Sequence, residues 1–417
     1  MQRTPSRLRD FRLLWAGQGV TSVGTQITLL ALPLTAILTL HADAAEVGWL
    51  NSVQWLPFLL LSLYVGVLVD RRRRRPLMIA ADAARALILG VIVALAWRGW
   101  LTLPVLLGLV LLFGCATVVF ELAYNAYLPG LVDPGDLLWA NSRLQATSAG
   151  AQLGGPALGG VIVQLFTAPT ALLCNALSFV VSVTTLGAIR LSEPAPVVEA
   201  TPHLLANVWD GLRFTYANPY LRSLIAVSAS YNLFNEWILT LYVLYAVHSL
   251  HLSPAEIGLS FSGSAVGAFV GAAICKPAIE RFGLGASFVA AVTVECLAAL
   301  IIPLSPSSHA VALPLLVVAF GLMDFGATLS SVAALSVRQS VTPNDRLGRM
   351  TASYRVVAYG CMPFGAALGG LSGQLLGLRT GLLLGALALL STIGWAAFSP
   401  LSRLGSIEDV VQESANV

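Results

Sequence analysis

The sequence predicts an all-α membrane protein: twelve transmembrane helices in two pseudo-symmetric six-helix bundles. Three observations predict it. The chain is too apolar to face water, its apolar stretches have the length of bilayer spans, and its second half repeats motifs of its first. The 417 residues are 57% hydrophobic and 10% charged, with a mean hydropathy of +0.81. A soluble chain is about 25% charged, so soluble enzymes, nucleic-acid binders and disordered proteins are excluded together. A spanning helix takes about 20 apolar residues, and twelve fit in this length with short loops between them.

Apolar runs broken by proline, glycine or charge place the spans near 13–40, 46–69, 77–97, 102–127, 142–166, 169–189, 220–248, 255–279, 286–304, 311–337, 350–376 and 380–399. The first run follows Arg3, Arg7, Arg9 and Arg12. It is too long for the apolar core of a signal peptide and lacks a small-x-small cleavage site, so it is expected to remain as the first helix. With the N-terminus inside, only Arg98 and Arg379 of the 23 basic residues fall at outward ends. The positive-inside rule then predicts two cytoplasmic termini in the inner (plasma) membrane, which requires an even number of spans. Ten or fourteen would strand Arg71–Arg75 or Arg346 and Arg349 outside.

The longest connection, Arg190–Tyr220, opens with Pro194, Pro196 and Pro202. Leu205, Val208, Trp209, Leu212 and Tyr216 then recur at helical spacing. This reads as a linker leading into an amphipathic helix at the inner membrane surface. The expected domains are therefore 1–190, an N-terminal bundle; 191–219, the cytoplasmic linker; and 220–417, a C-terminal bundle with a cytoplasmic tail.

The halves match in detail. Val132, Pro134, Asp136 and Leu138 correspond to Val341, Pro343, Asp345 and Leu347 at an offset of 209. Ala157, Leu158, Gly159, Gly160, Gln164 and Leu165 correspond to Ala367, Leu368, Gly369, Gly370, Gln374 and Leu375 at an offset of 210, and Thr170 and Thr380 continue that register. Parallel repeats related by an axis along the membrane normal describe a two-bundle secondary transporter.

The connection after the second span carries Gly66, Leu68, Asp70 and Arg71–Arg75. It resembles the G-x-L-x-D-R-x-G-R-R signature of the major facilitator superfamily. Gly66, Leu68, Asp70, Arg71, Arg74 and Arg75 match in place, and the family's second glycine is Arg73 here. A carboxylate beside guanidiniums at a helix end suits a conformational latch that forms in one state and breaks in the other. Asp82 and Arg85, one turn apart in the third span, are expected to extend it. The corresponding site in the second half is degraded to Lys276, Glu280, Arg281 and Gly283.

In the fifth span Gly155, Pro156, Gly159 and Gly160 resemble the G-P-x-x-G-G core associated with antiporters of the superfamily, which implies export. Small residues there let helices approach closely, and the proline removes a backbone bond. A narrower likeness, to macrolide-efflux and enterobactin-exporter-like members, rests on Phe11–Gln18 with Ala31–Leu34, on Ala81–Ala86, and on Asp210–Arg222.

Polar residues recur on one face of every third span. The first offers Gln18, Ser22, Thr25 and Gln26; the fourth Thr117, Glu121, Tyr124 and Asn125; the seventh Ser228, Tyr231, Asn232, Asn235 and Glu236, with Tyr242 beyond; the tenth Asp324, Thr328 and Ser331. The resemblance implies that these four helices line a central cavity. Interhelical hydrogen bonding is the alternative reading for any one of these side chains. Besides Asp82, four acids lie inside spans: Glu121, Glu236, Glu295 and Asp324. A charge at mid-bilayer costs about 2.5–3.5 kcal/mol on the insertion scale. Glu236 and Asp324 are the first proton-coupling candidates. Glu121 is a third candidate, with pairing to an arginine such as Arg143 the alternative. Glu295 stands outside the expected lining.

The five cysteines are scattered singly and the five histidines fall in loops, so neither a metal site nor a disulfide framework is expected. No phosphate-cradling G-x-x-x-x-G-K-[ST] loop is present. The reading is a monomeric secondary active transporter, not an enzyme. It needs no cofactor, is driven by an ion gradient (protons), and exports a hydrophobic drug-like, macrolide-like or siderophore-like molecule. Its partners are that small molecule, protons and the lipid bilayer, with no nucleic acid. A proton symporter importing a small solute, or a non-transporting sensor or scaffold, are the alternatives.

Overall fold

The computed structural model describes residues 5–191, 193, 204–343 and 346–405, with the side chains of residues 5, 6, 63, 70, 134, 204–209, 348, 349 and 352 outside the description. Pro194, Pro196, Pro202 and Asp345, read above from the sequence, lie outside the described residues, as do the side chains of Asp70, Leu205, Val208, Trp209 and Arg349.

Helices follow one another throughout: α1 (Pro5–Thr39), α2 (Ala44–Arg71), α3 (Arg74–Trp97), α4 (Leu103–Leu131), α5 (Leu137–Leu165), α6 (Ala168–Ala188), α7 (Leu204–Ala217), α8 (Pro219–His248), α9 (Pro254–Phe282), α10 (Leu284–Ala299), α11 (Ile301–Leu304), α12 (His309–Val341), α13 (Leu347–Gly360), α14 (Met362–Leu376), α15 (Leu378–Leu389) and α16 (Ser391–Ala397). No strand occurs among the described residues. Among the described residues twelve spans result, with α10/α11, α13/α14 and α15/α16 each forming one interrupted rod. Pro303 and Pro363 lack the N–H that would carry the helix through the first two interruptions. Among the described residues, nine of these spans are long and apolar enough to cross a bilayer by composition and length. The other three, α2, α5 and α8, are 28, 29 and 30 residues long, ample for a core about 30 Å thick.

Several helices overrun the apolar stretches that announced them. α1 starts at Pro5, α5 at Leu137, and α12 runs to Val341. Hydropathy stops at the first charged residues, but arginine is a good helix former, so the helix continues through Arg7, Arg9 and Arg12. α7 and α8 meet at Asn218, whose Oδ1 accepts from the backbone N–H groups of Tyr220 (2.9 Å) and Leu221 (3.2 Å). Pro219 follows at the first helical position, where no donor is needed.

The chain forms two compact units. The first comprises Met1–Asp43, Val53–Thr201 and Ser253–Gly258; the second comprises Ala44–Ser52, Pro202–Leu252 and Leu259–Val417. Each includes one short segment from the other half of the sequence.

In the first unit a core of Phe11, Leu14, Met78, Val118, Phe120 and Leu186 joins α1, α3, α4 and α6. Asp82 and Arg85 are buried inside it, at 0% and 6% exposure, as an ion pair within α3. The guanidinium lies between the rings of Phe120 and Phe179, 4.2 Å from each centroid, and Glu121 is in electrostatic reach of it. Asp82 is eight residues, about 12 Å, into its helix, and the pair lies among aromatic side chains.

In the second unit Tyr242 is fully buried, packed edge-on against Phe261 and Phe320, and its hydroxyl meets Ser260 Oγ at 2.5 Å. It belongs to the core rather than to a polar stripe. Gly263, Gly267 and Gly271 of α9 face the backbone of Val317, Gly321 and Phe325 in α12 with no room for a side chain. That close approach fixes the position of the α12 segment bearing Asp324.

Removing one member of a buried ion pair costs about 3–5 kcal/mol, whereas replacing both by apolar groups of similar volume is often neutral. Asp82→Ala is therefore expected to lower the thermal midpoint of the detergent-solubilised protein sharply, and Asp82→Leu with Arg85→Met to recover most of that loss. Unfolding followed by tryptophan fluorescence checks this, and a wild-type midpoint in the single variant would contradict it.

Candidate functional site

At the junction of α2 and α3, Arg73 precedes the first turn of α3 with φ −64° and ψ 129°. Any residue adopts that conformation, so the turn does not need the glycine the superfamily has there. Arg71, Arg72 and Arg73 are exposed. The backbone N–H groups of Arg74 and Arg75 donate to the Glu193 carboxylate, at 2.8 Å and 3.2 Å, and the Arg74 guanidinium is 3.8 Å from it. The Arg75 side chain donates to the carbonyls of Leu186 (2.8 Å) and Gly187 (2.7 Å) at the end of α6. Glu193 thus satisfies orphan donors at the positive end of α3, and Arg75 satisfies orphan acceptors at the negative end of α6.

Asp10 does the same for the chain leaving α6, accepting from the N–H groups of Arg190 and Leu191. Arg7 pairs with Asp133 at 2.7 Å. Sequence reading missed Glu193 and Asp10. Their signal was an acid placed among the arginines that flank the spans. A side chain at Gly66 would meet nothing within 4 Å, so packing does not account for that glycine.

The Gly155, Pro156, Gly159, Gly160 motif sits where α5 touches two other helices of the first unit. A Cβ on Gly155 would overlap Gln26 of α1, and one on Gly159 would press on Ile27 at 3.1 Å. Gly160 abuts Pro254 and Ala255 at the start of α9, where Gly258 in turn abuts the Pro156 carbonyl. The second unit builds the same device. Gly365 meets Leu233 and Gly369 meets Trp237, both of α8, while Gly370 lies against Ala44 and Gly48 at the start of α2. Residues 44 and 254, 48 and 258, and 160 and 370 are each 210 apart, the register of the repeat. Gly48 and Gly258 went unrecognised in the sequence, although that same offset pairs them.

The polar stripes divide into packing and open groups. In the first unit Gln26 is half-buried against Gly155, so it serves the α1–α5 contact. Ser22 Oγ donates to the Gln18 carbonyl at 2.7 Å, and Gln18 Nε2 is buried with no hydrogen-bond partner among the described residues. Thr25, Glu121 and Asn125 are exposed, and Tyr124 stacks on Phe120 with centroids 6.0 Å apart. Arg143 lies over the rings of Trp15 and Trp139, at 5.4 and 5.1 Å. Trp15 Nε1 donates to Thr147 Oγ1 at 2.7 Å.

In the second unit Asn232 Nδ2 donates to the Ala358 carbonyl at 2.9 Å, and the hydroxyls of Ser228 and Tyr354 are hydrogen-bonded. These two residues tie α8 to α13. Asn235 and Thr328 are half-buried, and Glu236 is 6% exposed. Glu295 of α10, 2% exposed, receives a long hydrogen bond from Ser330 of α12 (3.5 Å) and interacts electrostatically with Asp324. Tyr231 lies within the field of both acids. The structure therefore places Glu295, which sequence reading set aside, within electrostatic range of Asp324 and Tyr231. Its signal was the cost of any acid in a span, whichever helix carries it. No group of three His, Cys, Asp or Glu residues that could hold a metal occurs among the described residues, and all five cysteines are free thiols.

The sequence profile of a family described as transmembrane secretion effector, of the major facilitator type, matches residues 2–416. The chain is 25% identical to the multidrug efflux pump Tap of Mycolicibacterium fortuitum over 426 aligned positions, covering 96% of this chain and 97% of that one. It is 23% identical to macrolide efflux protein A of Streptococcus pyogenes over 264 residues, 63% of this chain and 64% of that protein; this second match thus spans just under two thirds of the relative's length. Among solved structures, a bacterial homologue of the iron transporter ferroportin in an inward-facing state superposes with a TM-score of 0.73 at 18% identity, covering 94% of this chain and 99% of that one. The nucleoside transporter NupG superposes with a TM-score of 0.70 at 13% identity, covering 94% and 99%. At such identities these two establish the fold alone. Twelve spans, two units with matched glycine contacts and a profile match over nearly the whole length lead to one statement: the chain belongs to the transmembrane secretion effector family of major facilitator transporters.

Proposed function

We propose that the protein is a proton-coupled exporter of a hydrophobic, drug-like molecule of the macrolide or siderophore kind. It resides in the plasma membrane with both termini in the cytoplasm and works by alternating access. The observation that carries this reading is the set of acids held within the spans of the second unit: Glu236, Glu295 and Asp324. In hydrocarbon, charging such a group costs about 2.5–3.5 kcal/mol, so its protonation follows its access to water and to ligand. Release of a proton on one side and recapture on the other then couples the proton gradient to substrate movement. The efflux relatives support the direction, and the arginine distribution supports the orientation.

Substrate is assigned to the stripe residues that packing does not consume. In the first unit these are Gln18, Ser22, Thr25, Tyr124 and Asn125; in the second, Tyr231, Asn235 and Thr328. They pair hydrogen-bonding groups with aromatic faces, as a large amphiphilic ligand requires. The latch role is kept for Asp70 and Arg71 beside Gly66, since Arg74 and Arg75 are engaged with Glu193 and the end of α6.

In inverted vesicles under an imposed pH gradient, Asp324→Asn is expected to lower uptake of a macrolide or dye substrate at least tenfold, with Glu236→Gln acting in the same direction. Wild-type rates in both variants would remove these acids from the coupling. For the latch, Asp70→Asn is expected to slow turnover several-fold while substrate affinity, measured by equilibrium binding, stays within about twofold. Equal losses in both would contradict a conformational role.

A further inference from the structure

Outside the polar stripes, the second unit holds a cavity of about 350 Å³ between α7 and the start of α13. Asp210, Arg213, Phe214 and Ala217 line it from α7, and Arg346 and Met350 from the other side. The α7 residues recur at i, i+3, i+4 and i+7, one face of a helix. Arg346 lies over the ring of Phe214, its carbon 5.4 Å from the centroid, and Arg213 and Asp210 are exposed at the rim.

The chemistry of this lining is specific. Among the described lining residues, two guanidiniums against one carboxylate leave a net single positive charge, which suits a monoanion. Guanidinium is the preferred partner of phosphate because its fork of donors matches two phosphate oxygens at once. Phosphate alone would leave most of 350 Å³ empty, and Phe214, Ala217 and Met350 offer an apolar wall for the remainder. Asp210 accepts hydrogen bonds but repels anions, so it fits hydroxyl groups attached to the phosphate. The cavity belongs to the amphipathic connection between the two halves, which the proposed orientation puts at the inner leaflet. Anionic lipids concentrate there, and basic pockets hold their headgroups.

We propose that this cavity binds the headgroup of an anionic phospholipid, with the phosphate on Arg213 and Arg346, the headgroup hydroxyls on Asp210 and the glycerol backbone against Phe214 and Met350. The proposal rests on the membrane orientation given above but not on the transport reading, and lipid binding is measured without transport. A lipid bound here fixes α7, and with it the end of the linker, to the bilayer surface.

The test uses the full-length protein in detergent, titrated with phosphatidylglycerol and followed by native mass spectrometry, with phosphatidylcholine and glycerol 3-phosphate as separate arms. One phosphatidylglycerol is expected to bind tightly to the wild type, and Arg213→Gln with Arg346→Gln to weaken that binding at least tenfold. Arg213→Gln alone changes an exposed side chain and gives a smaller loss in the same direction should the double variant not fold. Asp210→Asn, which keeps the acceptor and removes the repulsion, is expected to tighten binding several-fold. Phosphatidylcholine, lacking the hydroxyls, and glycerol 3-phosphate, lacking the tails, are expected to bind at least tenfold more weakly. Unchanged phosphatidylglycerol binding in the arginine variants overturns the site. Equal binding of glycerol 3-phosphate overturns the lipid as its occupant.

Discussion

A bilayer offers no water to a backbone amide or a charge, and that shortage organises this chain. Regular helices satisfy the amides along every span. What remains is the ends of helices and the few charges that the 10% charged fraction supplies. At the ends, Glu193 receives the first N–H groups of α3, Arg75 donates to the last carbonyls of α6, and Asp10 holds the chain that leaves α6. Inside, Arg85 is kept by Asp82 and two phenylalanine rings. These contacts give each of those charges a partner.

Against that background the acids of the second unit stand out. Glu295 and Asp324 lie within electrostatic range of one another, and an acid held inside a span marks an ion or substrate route more often than a packing contact. Glycine contacts hold the helices that bear them: α9 meets α12 backbone to backbone, and α14 meets α8 at Gly365 and Gly369. Such contacts suit a membrane interior, where helices associate through close packing rather than hydrophobic burial. The same geometry repeats between Gly155 or Gly159 and α1, so the duplicated sequence carries a duplicated joint.

The spans, the repeat and the family signature were legible in the sequence because each is a local property: mean apolarity over about 20 residues, a fixed offset, a short string of residue types. Helix ends were less so, since arginines stop a hydropathy window without stopping a helix, as at Arg12 in α1 and Arg338 in α12. The candidate site was legible only in part. Asn232, Gln26 and Tyr242 lie on the expected stripes, yet packing uses them, and which neighbour a face meets is a tertiary fact. Glu295 was missed for the same reason: nothing local says that α10 places it against Ser330 of α12 and in electrostatic range of Asp324. Gly48 and Gly258 were recoverable, since the 210-residue offset relates them, but a lone glycine in a span carries no signal until its partner is known.

In the proposed exchange cycle the charge of these intramembrane acids is linked to substrate occupancy. Proton release on ligand binding measures that linkage most directly, with purified protein in weakly buffered solution, a pH-indicating dye and a macrolide-class ligand at saturating concentration. About one proton is expected to leave per bound ligand near neutral pH, since ligand and proton oppose one another in an exchanger. Saturable binding with no proton released between pH 6 and pH 8, a range of about two units around neutrality, would contradict it.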